Sequence, residues 1–154
     1  MGEEGKCPLP DKPCLLFLRY YLTMKTTEFI YGAARILAAL LMIQTLYFKF
    51  TASPESIFIF TTVGMEPWGR VGVGIFELVA SVLLLWNRMA WVGAALALGL
   101  MAGALFMHFT LLGIEVQGDG GQLFIYALIV TGASAFVLYR NKETIERIIR
   151  KIKS

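Results

Sequence analysis

Charge is scarce in this chain. Of its 154 residues only 16% are Asp, Glu, Lys or Arg, against about a quarter in soluble domains. Histidine is scarcer still. His108 is the single one, so one chain cannot offer paired histidines to a haem. There is no Walker loop, no paired metal-ligand spacing and no nucleophile elbow, and no metal or haem is expected. Cys7 and Cys14, in CPLPDKPC, are too far apart for a CxxC redox pair and too few for a metal site. No cysteine follows Cys14, so disulfide exchange by this chain alone is not expected. The net charge is +3, and no basic surface interleaved with aromatics is visible. Nucleic acid is therefore not an expected partner.

Apolar residues fill the space left by charge. They make up 57% of the chain, and the mean hydropathy is +0.67. Four runs stand out: Phe29–Phe48, Val71–Trp86, Ala90–Leu112 and Leu123–Tyr139. With modest extensions each is about 19 to 24 residues, or roughly 28 to 36 Å of helix, enough for the hydrocarbon core of a bilayer. A soluble bundle would need a polar stripe on every helix, and ILAALLMI and WVGAALALGLMAGALF have none. The expected fold is an all-α membrane protein, a four-transmembrane-helix antiparallel bundle. Its spans are expected at about 28–50, 69–87, 89–112 and 122–140, within a membrane domain at 28–140. An N-terminal cytoplasmic or interfacial segment, 1–27, precedes it, and a basic amphipathic tail, 141–154, follows.

Lys and Arg set the orientation. Lys6, Lys12, Arg19 and Lys25 precede the first span, Arg88 lies between spans two and three, and Arg140, Lys142, Arg147, Arg150, Lys151 and Lys153 follow the fourth. The other two connections carry Lys49 and Arg70 alone. Eleven against two places both termini in the cytoplasm of a plasma or inner membrane, where the two thiols should be reduced. The first apolar run is too long for a signal-peptide core, and no cleaved targeting segment is expected.

Short amphipathic helices are expected at three interfaces. Pro13 suits a helix start after Asp11 and Lys12, and LLFLRYYL suits the inner leaflet. Thr26 or Thr27 is read as the N-cap of span one. In the outer loop 53–64, Ser53 is the expected N-cap, Pro54 the first helical residue and Gly64 the stop. At the C-terminus, Ile145, Ile148, Ile149 and Ile152 share one face with bases opposite. Ala95, Gly99 and Gly103 recur every four residues, a spacing that lets helices approach closely within a bundle.

Ionisable groups inside spans cost roughly 2.5 to 3.5 kcal/mol each on insertion scales, so those present need a reason. Glu77 sits near the middle of span two on a stripe with Arg70, Gly74 and Ser81. Span one offers Tyr31, Arg35, Thr45 and Lys49, and span three offers His108 and, if its helix persists, Glu115. One reading is an outward-opening polar pocket with Glu77 at its floor and Lys49, Arg70 and His108 on its walls, Glu115 and Asp119 close by. The other is a structural ion pair of Glu77 with Lys49 or Arg70. Lys49 and Arg70 also suit interface anchors, and Arg35 is read as snorkelling inward. His108 suits a proton acceptor or a hydrogen-bond partner to a polar head. Gly118, Gly120 and Gly121 allow a tight reversal before span four.

QTLYFKFTASPES, GMEPWGRVGVGIFELVASVLLL, WVGAALALGLMAGALFMHFTLLGIEV and DGGQLFIYALIV, from about Leu40 to Leu138, together resemble the DoxX family of small four-span membrane proteins. Lys49, Glu77, His108, Glu115, Asp119 and the Gly120–Gly121 pair match its pattern. That family is related to DoxD-type subunits associated with thiosulfate:quinone oxidation and, more loosely, to MauE-type maturation proteins. The resemblance implies a four-helix bundle and a link to quinone or sulfur redox chemistry, with no catalytic residue implied. Any enzyme role would be that of an oxidoreductase subunit acting with a redox partner protein or as a homo-oligomer. The alternative is a non-catalytic membrane assembly factor or interaction module whose intramembrane charges are structural. Four short spans with no broken helix or inverted repeat argue against a monomeric carrier.

Overall fold

The structure, a computed structural model, describes residues 12–153. Cys7 and Asp11 lie outside the described residues, as does the side chain of Cys14. Six α-helices follow in order: α1 (Lys12–Phe50), α2 (Pro54–Thr62), α3 (Trp68–Leu85), α4 (Ala90–Met107), α5 (Gln122–Arg140) and α6 (Lys142–Lys153). A π-helical turn, His108–Leu112, extends α4. Four segments are long and apolar enough to cross a membrane: Lys25–Phe50, Trp68–Leu85, Ala90–Leu112 and Gln122–Arg140. In lipid every backbone N–H and C=O must be satisfied within the protein, which forces helices on such sequences.

The expected break before span one is absent. No Gly or Pro lies between Pro13 and Gly32, so nothing stops the helix, and α1 runs on without a cap at Thr26 or Thr27. The Thr27 hydroxyl instead donates to the Thr23 carbonyl at 2.6 Å, the back-bond that threonine makes inside helices.

Around α2 the local chemistry follows the residues. The Ser56 N–H donates to Ser53 Oγ at 3.3 Å, with Pro54 at the first helical position. At the other end Met65 N–H reaches the Phe60 carbonyl and Gly64 N–H the Thr61 carbonyl, with Gly64 at φ +75°. That pair of bonds is a Schellman stop, and the left-handed residue it needs is most cheaply glycine.

The four spans form a square. α1 packs on α3 and α5, and α4 packs on α3 and α5, so α1 lies diagonal to α4. Neighbours are antiparallel. Arg35 near the start of the α1 span reaches the end of α3, while Arg140 at the end of α5 meets Glu28 at 2.6 Å. At the α3–α4 turn the square closes on small side chains: Ala38, Ala39, Ala80, Ala94 and Ala97 are fully buried.

Two expectations about packing are corrected here. The close approach does not use Ala95, Gly99 and Gly103, which are exposed. Gly93 makes it: a Cβ there would collide with the Leu84 backbone nitrogen and lie 2.8 Å from the Leu83 carbonyl carbon. The reason is helical phase, since Gly93 shares a face with the buried Ala90, Ala94 and Ala97 and the other three do not. Nor does Arg35 snorkel towards water. It is buried, and its guanidinium donates to the Leu84 carbonyl at 2.7 Å, the Leu85 carbonyl at 2.8 Å and Asn87 Oδ1 at 2.7 Å. Carbonyls at a helix C-terminus lack helical partners and carry the negative end of the dipole, so a cation there satisfies both needs.

Candidate functional site

At the other end of the square, under α2 and the 113–121 loop, lies a cavity of about 540 Å³. Lys49, Glu77, His108 and Asp119 all line it. Glu77 projects from α3 with 4% of its side chain exposed, and its Oε2 lies 2.9 Å from Lys49 Nζ. The Thr45 hydroxyl shares its proton between the Met42 carbonyl at 2.8 Å and the same Oε2 at 3.2 Å. The α1 face carrying Thr45 and Lys49 one turn apart therefore presents a donor and a cation to one carboxylate oxygen. Of the two partners open to Glu77, the structure selects Lys49.

Arg70 is turned away. Its guanidinium sits on Glu66, with Nε 2.9 Å from Oε1 and a second nitrogen 2.8 Å from the same oxygen, and it also donates to the Lys49 carbonyl. It is not part of the cavity lining. Glu66 precedes it by one helical turn, and an i,i+4 carboxylate is the nearest partner available to a cation at a helix start.

His108 opens the π-helical turn, a local widening that recurs at functional sites. Its Nδ1 lies 2.8 Å from the Gly113 carbonyl. A carbonyl only accepts, so Nδ1 carries the proton and Nε2 of the neutral ring is left as an acceptor. The edge of Phe124, 5.5 Å away between ring centroids, holds the imidazole from α5. The helix ends at Leu112, because Gly113 turns to φ +78°. Glu115 consequently does not continue the His108 stripe. It is exposed in the loop and outside the cavity.

Asp119 organises that loop. Oδ1 accepts from the Val116 and Gly121 N–H groups, both at 2.9 Å, and Oδ2 accepts from the Leu123 N–H at 3.1 Å in the first turn of α5. Burial alone would raise its carboxyl. The bonds from Val116, Leu123 and Gly121 outweigh burial and hold it below the usual value of 3.8. Gln117, Gly118, Gly120 and Gly121 all adopt positive φ around this anchor.

Ser56 was not visible as a site residue from the sequence. It lines the cavity from α2, it is 6% exposed, and its Oγ has no hydrogen-bond partner among the described residues. SPES reads as a helix start, and only the tertiary placement of α2 turns Ser56 inward. No group of three or more His, Cys, Asp or Glu among the described residues could hold a metal ion.

Lys49, Glu77 and His108 of this cavity lie on segments that a family model describes. The model for DoxX matches residues 31–110, more than half of the chain. The chain belongs to the DoxX family. The match covers the positions of Lys49, Arg70, Glu77 and His108 and stops before Glu115, Asp119 and α5. With four apolar helices of spanning length, this DoxX protein is a small multi-pass membrane protein. No curated protein and no solved structure matches it.

Proposed function

We propose that this DoxX protein is a small membrane subunit linked to quinone or sulfur redox metabolism, and that it binds a polar-headed molecule in the cavity under α2. The observation that carries the reading is one apolar-walled cavity, between membrane-spanning helices, that brings together the Lys49–Glu77 pair and His108. Its volume lies in the usual range for small-molecule sites, and a few convergent polar groups in an apolar wall are the usual means of fixing a ligand's orientation. A quinone head fits these groups. Lys49 Nζ has protons to donate to a ring oxygen, and His108 Nε2 can accept the proton of a ring hydroxyl. Such a head, when bound, supplies the redox chemistry and exchanges electrons with a partner protein, which takes them up when a ring hydroxyl gives its proton to Nε2. The chain's own part is to orient the head, to exclude water with α2 and the 113–121 loop, and to take up a proton at Nε2. The excess of bases on the termini orients the cavity outward from a plasma or inner membrane, with both termini in the cytoplasm.

The Lys49–Glu77 pair also favours a second reading. An ion pair closed on itself is what a membrane assembly factor with structural charges would hold.

Mass spectrometry on protein purified gently from its own membrane separates the two. The expected result is a stoichiometric polar-headed molecule in the wild type that is lost in His108→Ala and Glu77→Gln, while both variants keep their helix content. An empty wild-type chain accompanied by a protein partner would instead establish the assembly role.

A further inference from the structure

Part of the cavity wall lies at the outer surface of the bundle. Gly99 and Gly103 line the cavity from α4, yet both are exposed, as are Gln44 and Phe48 from α1. A residue that is both wall and surface sits on a rim. Gly99 and Gly103 lie about 13 and 20 Å along the span from Ala90, at hydrocarbon depth. A Cβ at either would meet nothing within 4 Å. The bundle is therefore gapped on its side, where its solvent is lipid.

Inside, the walls beyond the polar groups are Leu41, Met42, Leu100, Met101, Ala104 and Val130. They suit an apolar body. At the α2 end Ser56 is the group without an assignment. Its backbone N–H is spent on Ser53, but its hydroxyl bonds to no described residue despite being buried. Buried hydroxyls are normally paired, and one on a cavity wall points to an acceptor carried by the occupant.

We infer that the cavity is loaded from the hydrocarbon layer through the side of the bundle at Gly99 and Gly103, by a neutral amphiphile whose head accepts a hydrogen bond from Ser56. The inference rests on the proposal that the cavity holds a polar-headed molecule, and it adds the route and the class. The head must be neutral because a charge taken through hydrocarbon meets a steep insertion cost. Glycine at the rim keeps the route open, since any side chain there would narrow it.

The test uses the full chain in phosphatidylcholine vesicles, with hexadecanol carrying a diazirine as the bilayer-dissolved probe. Photolysis at increasing times after mixing, followed by mass spectrometry, gives the rate and the final extent of labelling at cavity residues such as Met101. Gly99→Leu/Gly103→Leu is expected to slow labelling about tenfold or more with the same final extent. Gly132→Leu, which is also open to 4 Å but lies outside the cavity lining, leaves the rate unchanged. Gly103→Ala adds one methyl to open space and gives a smaller slowing, so a folding defect in the double variant leaves the route testable. Ser56→Ala loads at the wild-type rate and loses about fivefold in final extent, the loss of one hydrogen bond. Wild-type rates in both rim variants would overturn the route while the cavity reading stands. Full labelling of Ser56→Ala would overturn the head assignment. A wild type labelled only on lipid-facing residues would overturn the cavity reading itself.

Discussion

Lys49 and Glu77 hold opposite charges against each other where lipid-facing helices leave little water. The pair is unequally buried, with 15% of the Lys49 side chain exposed against 4% for Glu77, so removing the cation strands the deeper charge. Lys49→Met is expected to destabilise the protein by about 3 kcal/mol, the low end for breaking a buried pair because Lys49 keeps contact with its surroundings. Lys49→Met/Glu77→Leu should recover most of that loss. Thermal unfolding in mild detergent measures both, and equal losses in the single and double variants would show that the charge is not what the pair stabilises. Asp119 makes the matching case outside the membrane. Its folded carboxyl is held below 3.8, so its contribution is complete above that value and lost as pH falls through the lower, folded one. Wild type should therefore lose stability on acidification below 3.8 more steeply than Asp119→Asn, in the same unfolding experiment. At this scale the sequence was informative about charges and silent about hydroxyls. An intramembrane Glu with Lys and His in reach stands out because it is expensive. Ser56 does not, because serine at a helix start has a sufficient explanation in capping.

At the scale of the element, the four apolar runs fall on four helices long and apolar enough to cross a membrane, because length and hydropathy are properties of the run itself. What they missed depended on neighbours. Span one has Thr26, Thr27 and Glu28, good start signals, yet no breaker precedes them, and a helix with no reason to stop continues. The widening at His108 also left no mark in the sequence, since a π-helical turn is fixed by where Gly113 reverses the chain. The glycines of α4 show the difference most sharply. Spacing alone favoured Gly99 and Gly103 for close packing, but phase on the helix assigns that role to Gly93. Gly93→Ala is expected to cost about 1–3 kcal/mol, because its methyl meets backbone that cannot rotate away. Gly99→Ala should be neutral or gain up to about 1 kcal/mol from helix propensity. Comparing the two melting curves decides the point, and a larger loss at Gly99 would return the packing role to the spaced stripe.

For the whole molecule, the two ends of the square differ in kind. One end is sealed by alanines and by Arg35 on the last carbonyls of α3. The other carries the cavity, α2 and the Asp119 loop. A bundle tight at one end and hollow at the other has a direction, and its meaning depends on which end faces the cytoplasm. On the proposed orientation the sealed end faces inward, because Arg88, Arg140 and Lys142 lie there against Lys49 and Arg70 at the hollow end. The α6 helix gives the same sign, since it follows α5 directly with five bases against Glu143 and Glu146, a charge pattern that favours an anionic leaflet. With Cys7 and Cys14 replaced by serine, Glu115→Cys is then expected to react with a membrane-impermeant maleimide on intact cells, because Glu115 is exposed in the loop at the hollow end. Lys151→Cys, exposed on α6, should react only after permeabilisation. The reverse pattern would place the cavity on the cytoplasmic side, where any partner passing electrons or taking up the bound molecule would have to be a cytoplasmic protein.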